Sequence, residues 1–273
     1  SGKASRLICP FHAWCYSLDG NLEAIPGNEG FPGLSKADYS LVKLSVEERH
    51  GLIWLHPRRD KSTLLSAWLG TALDEELSSF DLAQYTLFRQ QTFPVRANWK
   101  LTMDGFLESY HVGALHRNSI GAYFYSNLNC VDVLGRHLRL VLPRRRIDRM
   151  FELTEDHWSL LDNTVVVYVV IPGLVIAWQS GHFDVFRMCP DRDNPAKTQV
   201  TLSMLIPYAR CDETDLWERN WERTTTTIGM EDFAQAAKIQ SGFAAKAQRH
   251  LTVGRNEMGM QSFYRSIEHL VGV

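Results

Sequence analysis

The sequence predicts an α+β fold: a curved antiparallel sheet with helices packed on it, preceded by a small β module. Three observations predict it. Residues 1–58 hold turns and short apolar runs but no amphipathic helix. The middle of the chain carries apolar and alternating runs of strand length. From Asp212 to about Gln248, apolar residues recur at helical spacing.

The elements follow in order. "LDGNL" is a turn between strand-like pieces, and "AIPGNEGFPGL" is rich in Gly and Pro and must be loop. "HGLIWLHP" reads as a buried strand closed by Pro57. "TLLSAWLGTALDEEL" is helical, and "YTLFRQQTFPV" is a strand ending at Pro94. In "ANWKLTMDGFLESYHVGALH", Trp99, Met103, Phe106 and Leu107 recur at helical spacing. "TVVVYVVIPGLVIAW" holds two apolar strands broken at Pro172-Gly173, and "HFDVFRMCP" is another strand. In "TQVTLSMLIP", Val200, Leu202, Met204 and Ile206 alternate with polar residues, so one face is buried. In the final helical stretch Asp212 is a candidate cap. Trp217, Trp221, Ile228, Ala236, Ile239 and Phe243 supply its apolar surface, and Gly229 suggests a break.

The composition is that of an ordinary globular protein: 273 residues, 45% hydrophobic, 22% charged, formal net charge −2. Such a balance predicts no nucleic-acid or anionic-membrane partner. The run Arg144-Arg145-Arg146 reads as a solvated loop or strand end. No apolar run has the length of a membrane span, and the first residues lack the apolar core of a signal peptide. Five scattered cysteines do not form a disulfide framework, which predicts a reducing, cytoplasmic setting. The chain runs into a cysteine motif within its first ten residues, which predicts a missing N-terminal part.

Three patterns carry chemistry. His111 and His116 are candidate metal ligands, provided the backbone opens after His111. Surface or core histidines are the plainer meaning of that spacing. Glu108 is placed to accept the ring N–H of His111 that a metal leaves unused. Glu231 and Asp232 sit on an otherwise apolar helix, as a metal-bound carboxylate or as a solvent-facing acidic pair. Two His and one carboxylate suit a non-haem iron that activates oxygen. "CPFHAW", with Cys9 and His12, suits zinc or half of a Rieske [2Fe–2S] cluster, or else a structural Cys beside a surface His.

In combination these stretches resemble the catalytic α subunit of Rieske non-haem iron (aromatic-ring-hydroxylating) oxygenases, over nearly the whole chain. "CPFHAWCYSLDGNL" is similar to the second half of the Rieske motif, with Phe11 and Ala13 where Tyr and Gly are usual. "NWKLTMDGFLESYHVGALH" is similar to the mononuclear-iron motif, "EDFAQAAKIQ" to the third-ligand helix, and "VIPGLVIAW" to the strand before the pocket. Gly105 stands where the family often has Asn, so any contact of that Asn is absent.

The resemblance implies a helix-grip catalytic domain, an antiparallel sheet with a long C-terminal helix, over residues 59–273. Residues 1–58 would be the C-terminal portion of a Rieske domain. It implies His111, His116 and Asp232 as ligands of a mononuclear Fe(II), and Cys9 and His12 as half of the cluster's ligands. Glu108 would be the bridging carboxylate between His111 and His12 of the partner subunit, in a homotrimer. The other two cluster ligands would precede Ser1, so this chain would lack its electron supply. A separate reductase or ferredoxin using NAD(P)H would serve the full-length form. O2 would hydroxylate or dealkylate a small organic substrate, in a family that spans aromatics, quaternary amines and sterol-like molecules. Phe106, Leu107, Val112, Leu115, Trp178 and Phe183 are the expected pocket side chains. The alternatives are a non-catalytic hydrophobic-ligand binder on the same fold and a zinc-dependent hydrolase using the same donors.

Overall fold

A computed structural model describes residues 2–59, 63–246 and 250–272. The chain forms two compact units, Ser1–Trp68 and Leu69–Val273.

In the first unit β1 (Leu7–Ile8), β2 (Cys15–Tyr16) and β3 (Leu22–Ala24) form an antiparallel sheet in that order. The strands β4 (Val46–Arg49) and β5 (Leu52–Leu55) form a hairpin around His50 and Gly51, both at positive φ (53° and 67°). That pair of left-handed residues suits the twist of a two-residue hairpin turn. Trp14 meets Phe31 and Tyr39 edge-on, at 5.7 and 5.8 Å. The strand expected to be buried in "HGLIWLHP" is not buried within this unit: Ile53 and Leu55 are exposed, because a lone hairpin has no second layer over that face.

Helix α1 (Leu65–Ser79) is interrupted at Gly70, whose φ of 72° and ψ of 157° suit only glycine. Leu69 just before the interruption and Leu73 and Leu77 after it are buried in the core. The strand β6 (Tyr85–Val95) follows, then the short helices α2 (Trp99–Asp104) and α3 (Val112–Leu115). Next come β7 (Cys130–Leu134), β8 (His137–Pro143), α4 (Leu160–Asn163), β9 (Thr164–Val170), β10 (Leu174–Trp178), β11 (Phe183–Pro190) and β12 (Thr198–Pro207). Helices α5 (Thr214–Thr227), α6 (Phe233–Ala244) and α7 (Met258–Val271) complete the unit.

The seven strands β6 to β12 form one antiparallel sheet in the order β6-β12-β11-β10-β9-β8-β7. The meander β7 to β12 pairs neighbours in sequence, and β6 closes against β12. On β12 the expected alternation holds: Val200, Leu202, Met204 and Ile206 are buried, and the residues between them are not. The apolar run of β9 is buried throughout, as its lack of alternation implies.

The long C-terminal helix differs from expectation at two points. Asp212 does not cap it; the helix starts at Thr214, and Glu213 before it is paired with Arg210 instead. Gly229 does not break it either: Ile228–Asp232 form one wider π-helical turn that joins α5 to α6. The β-branched run Thr224–Ile228 is a poor α-helix former, and a Cβ at Gly229 would lie 3.3 Å from the Phe93 ring. The expected end near Gln248 lies outside the described residues. Among the described residues no helix is long and apolar enough to cross a membrane.

Candidate metal centre

Two short helices and the π turn build the site. Asn98 starts α2: its Oδ1 accepts from the Lys100 N–H at 3.0 Å, and its own N–H donates to Gln240 Oε1 on α6 at 2.9 Å. The helix ends at Gly105, and residues 105–110 turn irregularly before α3. The backbone therefore opens before His111, not after it as expected. His111 stands at the start of α3 and His116 just past its end, so one helical turn separates them. Their rings lie 5.0 Å apart.

The turn is held by Glu108. Its Oε2 accepts from the backbone N–H groups of Tyr110 and His111, the latter at 3.1 Å, and its Oε1 contacts His111 Nδ1. Burial opposes ionisation of this carboxyl, yet the bonds from His111 and the two backbone N–H groups outweigh it and lower its pKa. His116 is held in the same way by Glu231: Nδ1 lies 2.5 Å from Oε2, which also accepts from Ser119 Oγ at 2.7 Å. Burial disfavours the His116 imidazolium, but Asp232 and Glu231 together raise its pKa above the ordinary value.

With both Nδ1 atoms occupied, both Nε2 atoms face one carboxylate. Asp232 Oδ1 lies 3.6 Å from His111 Nε2 and 3.3 Å from His116 Nε2. The donor atoms of His111, His116 and Asp232 all lie within 4.8 Å of one another. That donor set fits a divalent first-row metal: two imidazoles and a carboxylate converge, and the second nitrogen of each ring already has an acceptor. The adjacent acids on the π turn divide the work, Glu231 orienting a histidine and Asp232 joining the group.

A cavity of about 500 Å³ opens beside these residues. Of the six side chains expected to line it, Phe106 and Val112 do so, with Phe124, Leu142, Val165 and Phe186. Leu107 is fully buried in the core, and Leu115 on α3 does not border the cavity. Trp178 and Phe183 pair across β10 and β11 on the opposite sheet face, one residue out of phase with Ala177 and Phe186, which do border it. Trp178 and Phe183 pack there with Phe80.

Sequence reasoning passed over two buried acids. Asp104 accepts from Tyr264 at 3.1 and 3.2 Å, and burial pushes its pKa up to about 7 despite that bond. Asp184 is fully buried behind the cavity-lining His182 and accepts from Thr224 at 3.1 Å. Each acid sits in a regular element whose periodicity alone marks it as an inward position, and the hydroxyl partners come from distant helices. The arginine run differs too: Arg145 and Arg146 are exposed as expected, but Arg144 is largely withdrawn from solvent at the cavity wall.

In the first unit Cys9 and His12 lie in a tight turn, with the Cys9 N–H donating to Trp14 O and the Ala13 N–H to Cys9 O, both at 2.9 Å. Among the described residues no further Cys, His, Asp or Glu joins them into a group of three donors. Two donors do not fit a four-ligand cluster.

The model of the ring hydroxylating alpha subunit (catalytic domain) matches residues 82–272, and that of the Rieske [2Fe-2S] domain matches residues 1–38. Choline monooxygenase of Atriplex hortensis is 23% identical over 91% of this chain and 55% of its own length. The carnitine monooxygenase oxygenase subunit of Acinetobacter pittii is 31% identical over 42% of this chain and 32% of its own. The chain thus spans about half the length of the first of these relatives. A quaternary ammonium Rieske monooxygenase structure superposes with a TM-score of 0.79 at 21% identity, over 98% of this chain and 73% of that one. A naphthalene 1,2-dioxygenase structure superposes with a TM-score of 0.71 at 17% identity, over 100% of this chain and 75% of that one. These likenesses show the fold.

Proposed function

This chain belongs to the ring-hydroxylating alpha-subunit family, and from that premise we propose that it is the catalytic part of a Rieske-type oxygenase acting on a small organic substrate. The observation that carries the reading is the meeting of His111, His116 and Asp232 beside a cavity. In this reading those three residues hold Fe(II), which when bound supplies O2 activation for hydroxylation or dealkylation. The chain's own residues prepare the site. Glu108 and Glu231 hold the Nδ1 protons and so keep both Nε2 lone pairs toward the ion. Apolar walls at Phe106, Val112, Val165 and Phe186 exclude water and position the substrate.

The remainder of the reading follows the family. Residues 1–58 are the C-terminal portion of a Rieske domain, and residues 59–273 form the catalytic domain. Cys9 and His12 contribute half of the cluster's ligands, and Glu108 links His111 to His12 of the partner subunit in a homotrimer. A reductase or ferredoxin using NAD(P)H supplies electrons to the complete cluster. The five free cysteines accord with a cytoplasmic protein. The relatives' names offer quaternary ammonium compounds as one substrate class and a fused aromatic as another.

Metal analysis tests the reading. Protein loaded anaerobically is expected to hold one ferrous ion per chain, lost in His111→Ala and in Asp232→Ala. Selective retention of zinc, with ester or amide hydrolysis, would favour a hydrolase. Absence of any bound metal would leave a ligand-binding protein.

A further inference from the structure

Four arginines border the cavity, Arg144, Arg145, Arg146 and Arg223, against two carboxylates, Glu108 and Asp232. Both carboxylates are engaged already, Glu108 with His111 and Asp232 with both histidines. The arginines are not balanced in the same way. Arg144 follows β8, and its N–H donates to Asn163 O at 2.9 Å. Its Nη2 donates to the main-chain oxygen and the Oε1 of Gln179, at 3.3 and 3.2 Å, both neutral acceptors. Its Nε is buried without a partner. No carboxylate pairs with it among the described residues; the charges it feels are those of Arg146 and Arg223. Burial and these two cations lower its pKa to about 10.

A half-buried guanidinium with a buried, unpartnered Nε–H and two cationic neighbours is an unfavourable arrangement until an anion joins it. Two of the four Phe and Tyr rings that border the cavity already carry a cation. A quaternary ammonium ligand needs open aromatic faces. Here the Arg144 guanidinium already lies over the Phe124 ring at 5.0 Å, and the Arg223 guanidinium over Tyr123 at 5.8 Å. The apolar remainder of a 500 Å³ cavity exceeds what an inorganic anion fills and suits a compact hydrocarbon body.

We propose that the cavity takes a small organic acid, its hydrocarbon part against the Phe106, Val165 and Phe186 wall and its carboxylate on the Arg144 guanidinium. This rests on the oxygenase reading, with the acid as the substrate of that site. Arg144 is the group that sets specificity for the acid, and Arg223 adds long-range attraction.

The test is calorimetric titration of the full chain with benzoate, benzamide, benzyltrimethylammonium and inorganic sulfate, with and without Fe(II). Benzoate is expected to bind at least tenfold tighter than the other three. Arg144→Gln is expected to remove that preference, with Arg144→Lys restoring part of it and benzamide binding unchanged throughout. Arg223→Gln is a second variant on an exposed position; it is expected to weaken benzoate about threefold and to flatten its salt dependence. Equal affinity for benzoate and benzamide would overturn the proposal. So would tighter binding of the ammonium compound, sulfate binding as tight as benzoate, or equal losses for benzoate and benzamide in Arg144→Gln. Iron content is read separately. A chain that prefers benzoate but holds no iron refutes the oxygenase reading alone, and one that holds iron without the preference refutes the acid site alone.

Discussion

Gly259 is where α7 packs tightly on the Leu107 backbone, next to the candidate metal centre. A Cβ built there would lie 2.1 Å from Leu107 O and 3.1 Å from both Leu107 C and Leu140 Cδ2. Real Cβ atoms essentially never come within 3.0 Å of another heavy atom, so Gly259→Ala requires α7 and the Leu107 backbone to separate by about 1 Å. Neither side has room, since Leu107 and Leu140 are fully buried. Overpacking of this kind costs about 1–3 kcal/mol, and contact with backbone sets the upper end. Alanine returns up to about 1 kcal/mol through its better helix propensity. A net loss of about 2 kcal/mol is expected. Glu108 follows Leu107 directly, so movement of that backbone also misaligns His111, with about a tenfold loss of iron affinity. Gly242→Ala on α6 is the control: nothing lies within 4 Å of its Cβ, and a gain of up to about 1 kcal/mol is expected. Urea unfolding followed by tryptophan fluorescence gives the stabilities, and chelator competition gives the iron affinities. A Gly259→Ala protein as stable as Gly242→Ala, with unchanged iron affinity, would refute the reasoning.

Three further predictions test separate links. Asp104 keeps its proton in the folded state up to about pH 7 but gives it up near 3.8 when unfolded, so folding binds a proton between those values and stability falls as pH rises through that window. The wild type is expected to lose about 4 kcal/mol across it relative to Asp104→Asn, from about three units at about 1.4 kcal/mol each; parallel urea-stability profiles of the two proteins from pH 5 to 8 would contradict this. Glu231→Gln is expected to weaken iron binding about tenfold and Asp232→Ala far more, because the first loses the orienting bond to His116 and the second a donor; chelator competition showing the reverse order would exchange their roles. Gly70→Ala is expected to cost about 1–3 kcal/mol, because its φ of 72° and ψ of 157° lie where only glycine is unstrained; thermal unfolding that matches the wild type would disprove it.

The sheet is legible in the sequence through its periodicity. Thr198–Pro207 is the quoted strand itself, and the break at Pro172-Gly173 separates β9 from β10 as expected. The helix α7 was missed because its apolar positions follow a stretch without a clear cap. At the site, the spacing from Glu108 to His111 and the paired acids at 231 and 232 were visible because each is a local pattern. Local spacing did not reveal that the chain opens before His111, since that depends on Glu108 gathering two backbone N–H groups.

The sequence by itself determined which candidate metal donors this chain carries, and that its middle folds as an antiparallel sheet. A strand's period of two and a helix's period of 3.6 are properties of short segments, set by backbone geometry. Only the tertiary structure decided which of two adjacent acids meets both histidines. It also decided that Trp178 and Phe183 face away from the cavity, and that Arg144 stands half-buried at its wall. Those outcomes depend on register and on packing between residues far apart in the chain, where a shift of one position reverses the face a side chain presents.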